Sequence, residues 1–314
     1  MAFLLGVLAS FFFSVTFVLN QSMASSGGDW LWTASLRFLF MMPFFLIIVI
    51  VKRNSQLTLV FRTIKENWKS WFLWSQVAFG LFYIPLCFAS SLAPGWLIAS
   101  TWQITIIAGS VLAPFLEPNL AKRKQSRISR QDGLIFGVIL LGIVIIELQH
   151  MALANMTSLL VAFIAVLIAA FAYPLGNRKI MIVNHQTAKL NTDERILAML
   201  VCSLPTWLVC SIIGFVRSGV PETSQVASSF LVALFSGVIA TYLFFLSTQM
   251  VHTNIRKLAT IEALQSLEVV FSVVLGMIVL QDTFPKLLTM VGAGSFRRLF
   301  KSDAKLAILE WRRF

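Results

Sequence analysis

Apolar residues in this chain gather into long runs separated by short polar stretches. The runs recur at about 20 residues, the length a helix needs to cross about 30 Å of hydrocarbon at 1.5 Å per residue. They predict spans over 2–20, 30–51, 71–91, 95–116, 133–149, 158–177, 196–216, 228–250 and 258–280, with a tenth beginning near Leu287. A membrane β-barrel would instead show alternating segments of about 10 residues. The pattern therefore predicts an all-α, polytopic membrane bundle of nine to ten transmembrane helices.

The run 258–280 departs from pure apolarity. It carries Glu262, Gln265, Glu268 and Ser272, and their spacing of three, three and four keeps all of them on one helical stripe. Glu268 falls near the middle of the run. A carboxylate at that depth costs on the order of 3 kcal/mol unless it faces protein or water. The other helices are thus expected to supply a polar interior, the candidate site for cargo. Loss of water disfavours the charged form of a carboxylate, which suits proton exchange near neutral pH. The competing reading is a hydrogen-bonded pair that only fixes helix packing. Glu262, one turn in from the end of the run, either shares the stripe's chemistry or pairs with Arg256 or Lys257. Gln265 and Ser272 fit interhelical hydrogen bonds as well as ligand contacts.

Composition strengthens the membrane reading. Hydrophobic residues make up 58% and charged residues 12%, about half the charged share of a soluble domain, and mean hydropathy is +0.84. The net charge of +12 would suit nucleic acid, but the basic residues sit in alternate connections. Lys52, Arg53, Arg62, Lys65 and Lys69 separate the second and third runs. Lys122, Arg123, Lys124, Arg127 and Arg130 separate the fourth and fifth. Arg178, Lys179, Lys189 and Arg195 follow the sixth, and Arg256 and Lys257 precede the ninth. The intervening connections carry only Arg217 and Lys286. This alternation predicts a cytoplasmic N-terminus in the cell membrane, with no nucleic-acid partner. No Lys or Arg precedes the first run, which reads as an uncleaved helix rather than a signal peptide. Cys87, Cys202 and Cys210 lie within apolar runs and read as small core residues.

Arg37 is the one basic residue well inside a predicted span. It can snorkel toward Asp29, neutralise a buried Glu, or bind an anionic cargo group. Glu147 and His150 read as interfacial. Trp102, Tyr173 and Tyr242 are candidates for stacking on flat or cationic cargo, although with nine Trp and 28 Phe any one ring fits packing or the interfacial belt equally well. Gly133 and Gly137 form a small-xxx-small pair that allows close helix contact, including contact between protomers of a homodimer. No Walker phosphate loop, zinc-protease motif, Cys/His metal spacing or nucleophile elbow occurs. No cofactor, metal or enzymatic role is expected.

Ten spans divide into two sets of five that would face opposite ways, as inverted repeats do. Setting Gln103 against Glu268 sets Glu117 against Asp282, which makes Gln103 a candidate counterpart of Glu268. The segment Ala259-Thr260-Ile261-Glu262-Ala263-Leu264-Gln265-Ser266-Leu267-Glu268-Val269 resembles the Glu-Ala-x-Gln-Ser-x-Glu-Val signature of the multidrug resistance efflux branch of the drug/metabolite transporter superfamily, whose members are EamA-like. The resemblance implies two inverted five-helix repeats, here 1–150 and 151–296. It also implies a central cavity lined by helices one to four and six to nine. The chain departs from that family after residue 296, where Arg297, Arg298, Lys301, Asp303 and Lys305 interrupt a half-length tenth run. The tail 297–314 reads either as a basic amphipathic helix on the membrane surface or as an altered gene end.

The sequence thus points to a secondary transporter of small amphipathic or cationic compounds, driven by protons. The same fold carrying an amino acid, nucleoside or sugar is the alternative, and Arg37 facing the cavity would favour a zwitterion. An intramembrane enzyme needs catalytic groups converging at one depth, whereas Glu262 and Glu268 stand about 9 Å apart along a helix axis. A scaffold with all its carboxylates paired is the least active reading. The predicted orientation is checked with topology reporters. Alkaline phosphatase fused after Lys69 is expected to be inactive and the same fusion after Ser218 active; the reverse result refutes the orientation.

Overall fold

The computed structural model describes residues 1–52, 56–116, 133, 137, 140–143, 156–187, 190–251, 261 and 264–281. Every regular element among them is helical. In chain order these are α1 (Ala2–Ser25), α2 (Trp30–Val51), α3 (Leu57–Glu66), α4 (Trp68–Ser90), α5 (Gly95–Leu116), α6 (Met156–Gln186), α7 (Thr192–Ser218), α8 (Thr223–Thr248) and α9 (Leu267–Val279). All but α3 and α9 are long and apolar enough to cross a membrane, which gives seven such helices among the described residues. Glu147, His150, Glu262, the predicted tenth span and the tail 297–314 lie outside the described residues.

Local chemistry sets the helix starts. Asp29 accepts a hydrogen bond from Leu31 N at 2.7 Å and caps α2. A capping box starts α7: Asn191 Oδ1 accepts from Glu194 N at 3.0 Å, and Glu194 Oε2 accepts from Asn191 N at 2.8 Å. Glu194 Oε1 also accepts from Gln56 N at 2.7 Å and so ties in the start of α3. Lys52 pairs with the buried Asp193, joining the end of α2 to the start of α7. That hydrogen bond holds the Lys52 ammonium above its ordinary value of 10.5. The contribution is complete below that value and is lost only as pH rises through the higher folded one, so around neutrality it is constant.

The basic connection after α2 holds a helix that the run pattern did not predict. Val60 and Thr63 of α3 are buried, while Phe61, Arg62, Lys65 and Glu66 are exposed. A ten-residue amphipathic helix is too short and polar to register as a span.

Small residues let the bundle close, as expected where lipid supplies no hydrophobic drive between helices. The inward face of α1 carries Gly6, Ala9, Ser10 and Ser14, all buried. Ser10 Oγ donates to Leu264 O at 2.9 Å. A Cβ at Gly176 of α6 would stand 2.4 Å from Ala78 N of α4. The aromatic core centres on Phe38, stacked on Trp207 at 4.2 Å between centroids. Leu208, Val209, Ile212 and Val216 of α7 point outward, as lipid-facing residues do.

Among the described residues, helical regularity fails at four places in or beside the spans. A π segment, Gln76–Gly80, interrupts α4, and another, Ala233–Ala240, interrupts α8. Helix α5 breaks at Gln103, and a turn at Gln265 and Ser266 precedes α9. An added Cβ at Gly133 or Gly137 meets no described atom within 4 Å, so the contact expected of that pair is not made within the described chain.

The α4–α6 contact gives a packing test. Gly176→Ala is expected to destabilise the protein by about 1–3 kcal/mol through overpacking against the α4 backbone. Gly109→Ala, whose Cβ would sit at an ordinary 3.6 Å, is expected to stay within about 0.5 kcal/mol. Thermal unfolding in detergent compares the two, and equal midpoints would refute the role of Gly176.

Candidate functional site

A cleft runs between the helices and is lined from α1, α2, α4, α5, α6, α7, α8 and the turn into α9. Its cavity volume is about 80 Å³. That is room for roughly five waters or a small molecule in a narrow passage.

Glu268 lies on the cleft wall and is 2% exposed. Among the described residues no hydrogen bond or ion pair reaches its carboxylate. The turn before α9 places it there: Glu268 N donates to Gln265 O at 2.9 Å and Val269 N to Ser266 O at 3.3 Å. Gln265 lines the same cleft.

Arg37 faces Glu268's cleft from α2, 6% exposed. Its guanidinium donates to Thr16 Oγ1 at 3.3 Å and Ser236 Oγ at 3.1 Å, and those hydroxyls bond each other at 2.6 Å. The Tyr83 ring covers one face of it, 4.3 Å to the centroid, and the Tyr83 hydroxyl is held by Asn20 Oδ1 at 3.2 Å. Of the expected roles, snorkelling toward Asp29 is not the one adopted. Asp29 caps α2 and stands 3.5 Å from Arg217.

Trp102 and Tyr173 join Phe82 in an aromatic wall. The ring centroids are 5.1 Å apart for Phe82–Trp102, 4.9 Å for Phe82–Tyr173 and 5.7 Å for Trp102–Tyr173. Two other expected positions fall outside the lining. Tyr242 is 44% exposed on α8. Gln103 is 1% exposed but turned into its own helix, where Nε2 donates to Ala99 O at 3.0 Å. Helix α5 breaks at the same residue.

Several lining groups escaped the sequence reading. Ser236 and Thr16 are hydroxyls in apolar runs, where nothing marks them out. Ser236 enters through the π segment of α8, a distortion that commonly re-aims side chains at functional sites. Arg195 was grouped with the inner basic connection, yet it lines the cleft with its guanidinium 5.1 Å from the Phe245 centroid. The Asn191–Glu194 spacing was the available signal, because a capping box there starts α7 before Arg195 rather than after it.

A second hollow, more polar, lies where the α1–α2 and α7–α8 connections meet, beside Asp29, Glu222 and Gln225. None of the expected site residues lines it.

The chain matches, over residues 1–296, the family described as "EmrE: Putative multidrug resistance efflux transporter". It is 44% identical to "Uncharacterized protein YjlA" of Bacillus subtilis (strain 168), with 97% of this chain and 96% of that protein covered. It is 45% identical to the "Uncharacterized 42.1 kDa protein in intracellular alkaline protease 3'region" of Shouchella clausii, over 79% of this chain and 64% of that one. A protein of known crystal structure shares the fold alone, at 16% identity and a TM-score of 0.60, with 99% of this chain and 98% of that chain covered.

The cleft is tested by thiol accessibility. With Cys87, Cys202 and Cys210 replaced by Ala, Thr241→Cys on the cleft wall is expected to react with a membrane-impermeant sulfonatoethyl thiosulfonate. Ser203→Cys, at a fully buried position bonded to Trp207, is expected to stay unlabelled. Equal labelling at both positions would refute a discrete wet cleft.

Proposed function

Because this chain belongs to the EmrE-like multidrug resistance efflux transporter family of the drug/metabolite transporter superfamily, a transporter family rather than an enzyme family, we propose that it is a proton-coupled secondary transporter exporting small amphipathic compounds. It acts in the cell membrane, with its N-terminus on the cytoplasmic side. Glu268 takes up a proton from one side and releases it to the other as the cleft alternates access.

The observation that carries this reading is the setting of Glu268. An acidic side chain with almost no exposure, on a cleft wall and with no hydrogen-bond partner among the described residues, is poorly explained as structural glue. Packing carboxylates are paired, as Asp193 is with Lys52 and Glu66 with Arg62. An unpaired one is free to change its protonation with its surroundings. Binding of cargo in the cleft alters those surroundings, which is the physical requirement for coupling.

The aromatic wall supplies a sequence-tolerant surface for an apolar body. The narrow open volume limits the cargo to small molecules, or requires the cleft to widen when it opens.

Coupling is tested in proteoliposomes holding an internal pH dye, with ethidium, tetraphenylphosphonium and phenylalanine supplied as probes. For whichever probe is carried, Glu268→Gln is expected to cut probe-driven proton flux by about tenfold or more while probe counterflow persists. Full coupled flux in Glu268→Gln would overturn the assignment.

A further inference from the structure

The charges in the cleft do not suit a lone cation. Its described lining holds two guanidiniums, Arg37 and Arg195, and one carboxylate, Glu268. Every other carboxylate among the described residues is engaged elsewhere. Asp29 stands by Arg217, Glu66 pairs with Arg62, and Asp193 pairs with Lys52. Glu194 completes the capping box of α7, and Glu222 accepts from Ser224 in the α7–α8 connection. No ion pair neutralises either arginine of the cleft among the described residues.

Arg37 is the better-organised of the two. Thr16, Ser236 and the Tyr83 ring fix its position with neutral groups, which solvate a cation without cancelling its charge. Among the described residues its Nε has no hydrogen-bond partner, although the atom is buried. A buried guanidinium held by hydroxyls and left without a counter-ion is a prepared anion site, because a carboxylate supplies both the charge and the acceptors that it lacks. The second cation lies further along the passage. Ser236, which bonds Arg37, and Phe245, which carries Arg195, are nine residues apart on α8, roughly 13 Å of helix. Tyr173 lines the same cleft as Arg37, Arg195 and Glu268, so the three groups share one chamber.

We infer that the cleft takes cargo bearing an anionic group, held first at Arg37, so that the substrate class is small amphipathic carboxylates and zwitterions rather than lone organic cations. The apolar body of such a compound rests on Phe82, Trp102 and Tyr173, and the amine of a zwitterion is left to face Glu268. Arg195 offers the anionic group its next contact along the cleft.

This inference rests on the proposed function only in taking the cleft as the cargo site. The test therefore reads binding in detergent, without a membrane or a gradient. Its failure leaves proton coupling by Glu268 standing, and loss of coupling leaves the binding result intact. Isothermal titration of the purified full-length protein compares phenylacetate, phenylalanine and tetraphenylphosphonium. Wild type is expected to bind the two carboxylate-bearing probes. Arg37→Gln is expected to lose about tenfold or more of that affinity, with partial recovery in Arg37→Lys, which restores the charge without the fork. Three outcomes overturn it: carboxylate affinity unchanged in Arg37→Gln, tetraphenylphosphonium as the only ligand bound by wild type, or no binding of either carboxylate.

Discussion

Charge buried at membrane depth is the constraint on which this architecture depends. Glu268 and Arg37 are each nearly inaccessible, and both sit well inside apolar runs. Hydrocarbon would make either one prohibitive, so the helices must place them on an internal surface. That requirement explains why eight helical segments converge on one cleft rather than packing as a solid bundle. It also explains where the hydroxyls go: Thr16 and Ser236, each in an otherwise apolar stretch, are spent on the guanidinium of Arg37.

The rest of the bundle is built to let those segments approach. Small residues on α1 admit Leu264 and the turn before α9, and Gly176 admits the backbone of α4. At the end of α2 and the start of α7, Lys52–Asp193 and the Glu194 contacts to Gln56 and Asn191 tie α2, α3 and α7 together where charged groups can reach water. Polar bonding is thus divided by depth, with charge pairs at the helix ends and hydroxyls and amides within. The cleft departs from this division, because its charges are not paired with one another.

Much of this was legible in the sequence, for identifiable reasons. Run length near 20 residues reports membrane crossing directly, so the seven long helices were readable, with end errors that reach nine residues where α6 continues past its apolar run to Gln186. Glu268 stood out because an acid in an apolar run is costly, and Arg37 stood out for the same reason. What escaped notice depended on departures from ideal helical geometry. Gln103 was paired with Glu268 on spacing alone, but its amide bonds Ala99 O at a break in α5. Tyr242 follows the π segment of α8 and emerges on the outside. Arg195 was misread because a helix start was placed too late. A regular wheel cannot foresee any of these, since each depends on where the backbone stops being regular.

Those irregularities are themselves ordered, and they bear on the proposed repeat. The two π segments lie in α4 and α8, the third spans of the two sets of five. The two interruptions with three-residue hydrogen bonds lie in the spans that follow them. Gln103 N donates to Ser100 O at 3.1 Å, and Glu268 N donates to Gln265 O at 2.9 Å. The residues that donate are the pair matched by the repeat alignment, and so are the residues that accept. Tightened and loosened turns are where a helix bends at least cost. The π segments fall in matched spans but not on matched residues, because 76–80 align with 241–245 rather than with Ala233–Ala240; under the proposed repeat it is the matched turns that would give each half an equivalent bend. Alternating access requires that equivalence, because the motion that closes one end of the cleft must mirror the motion that opens the other.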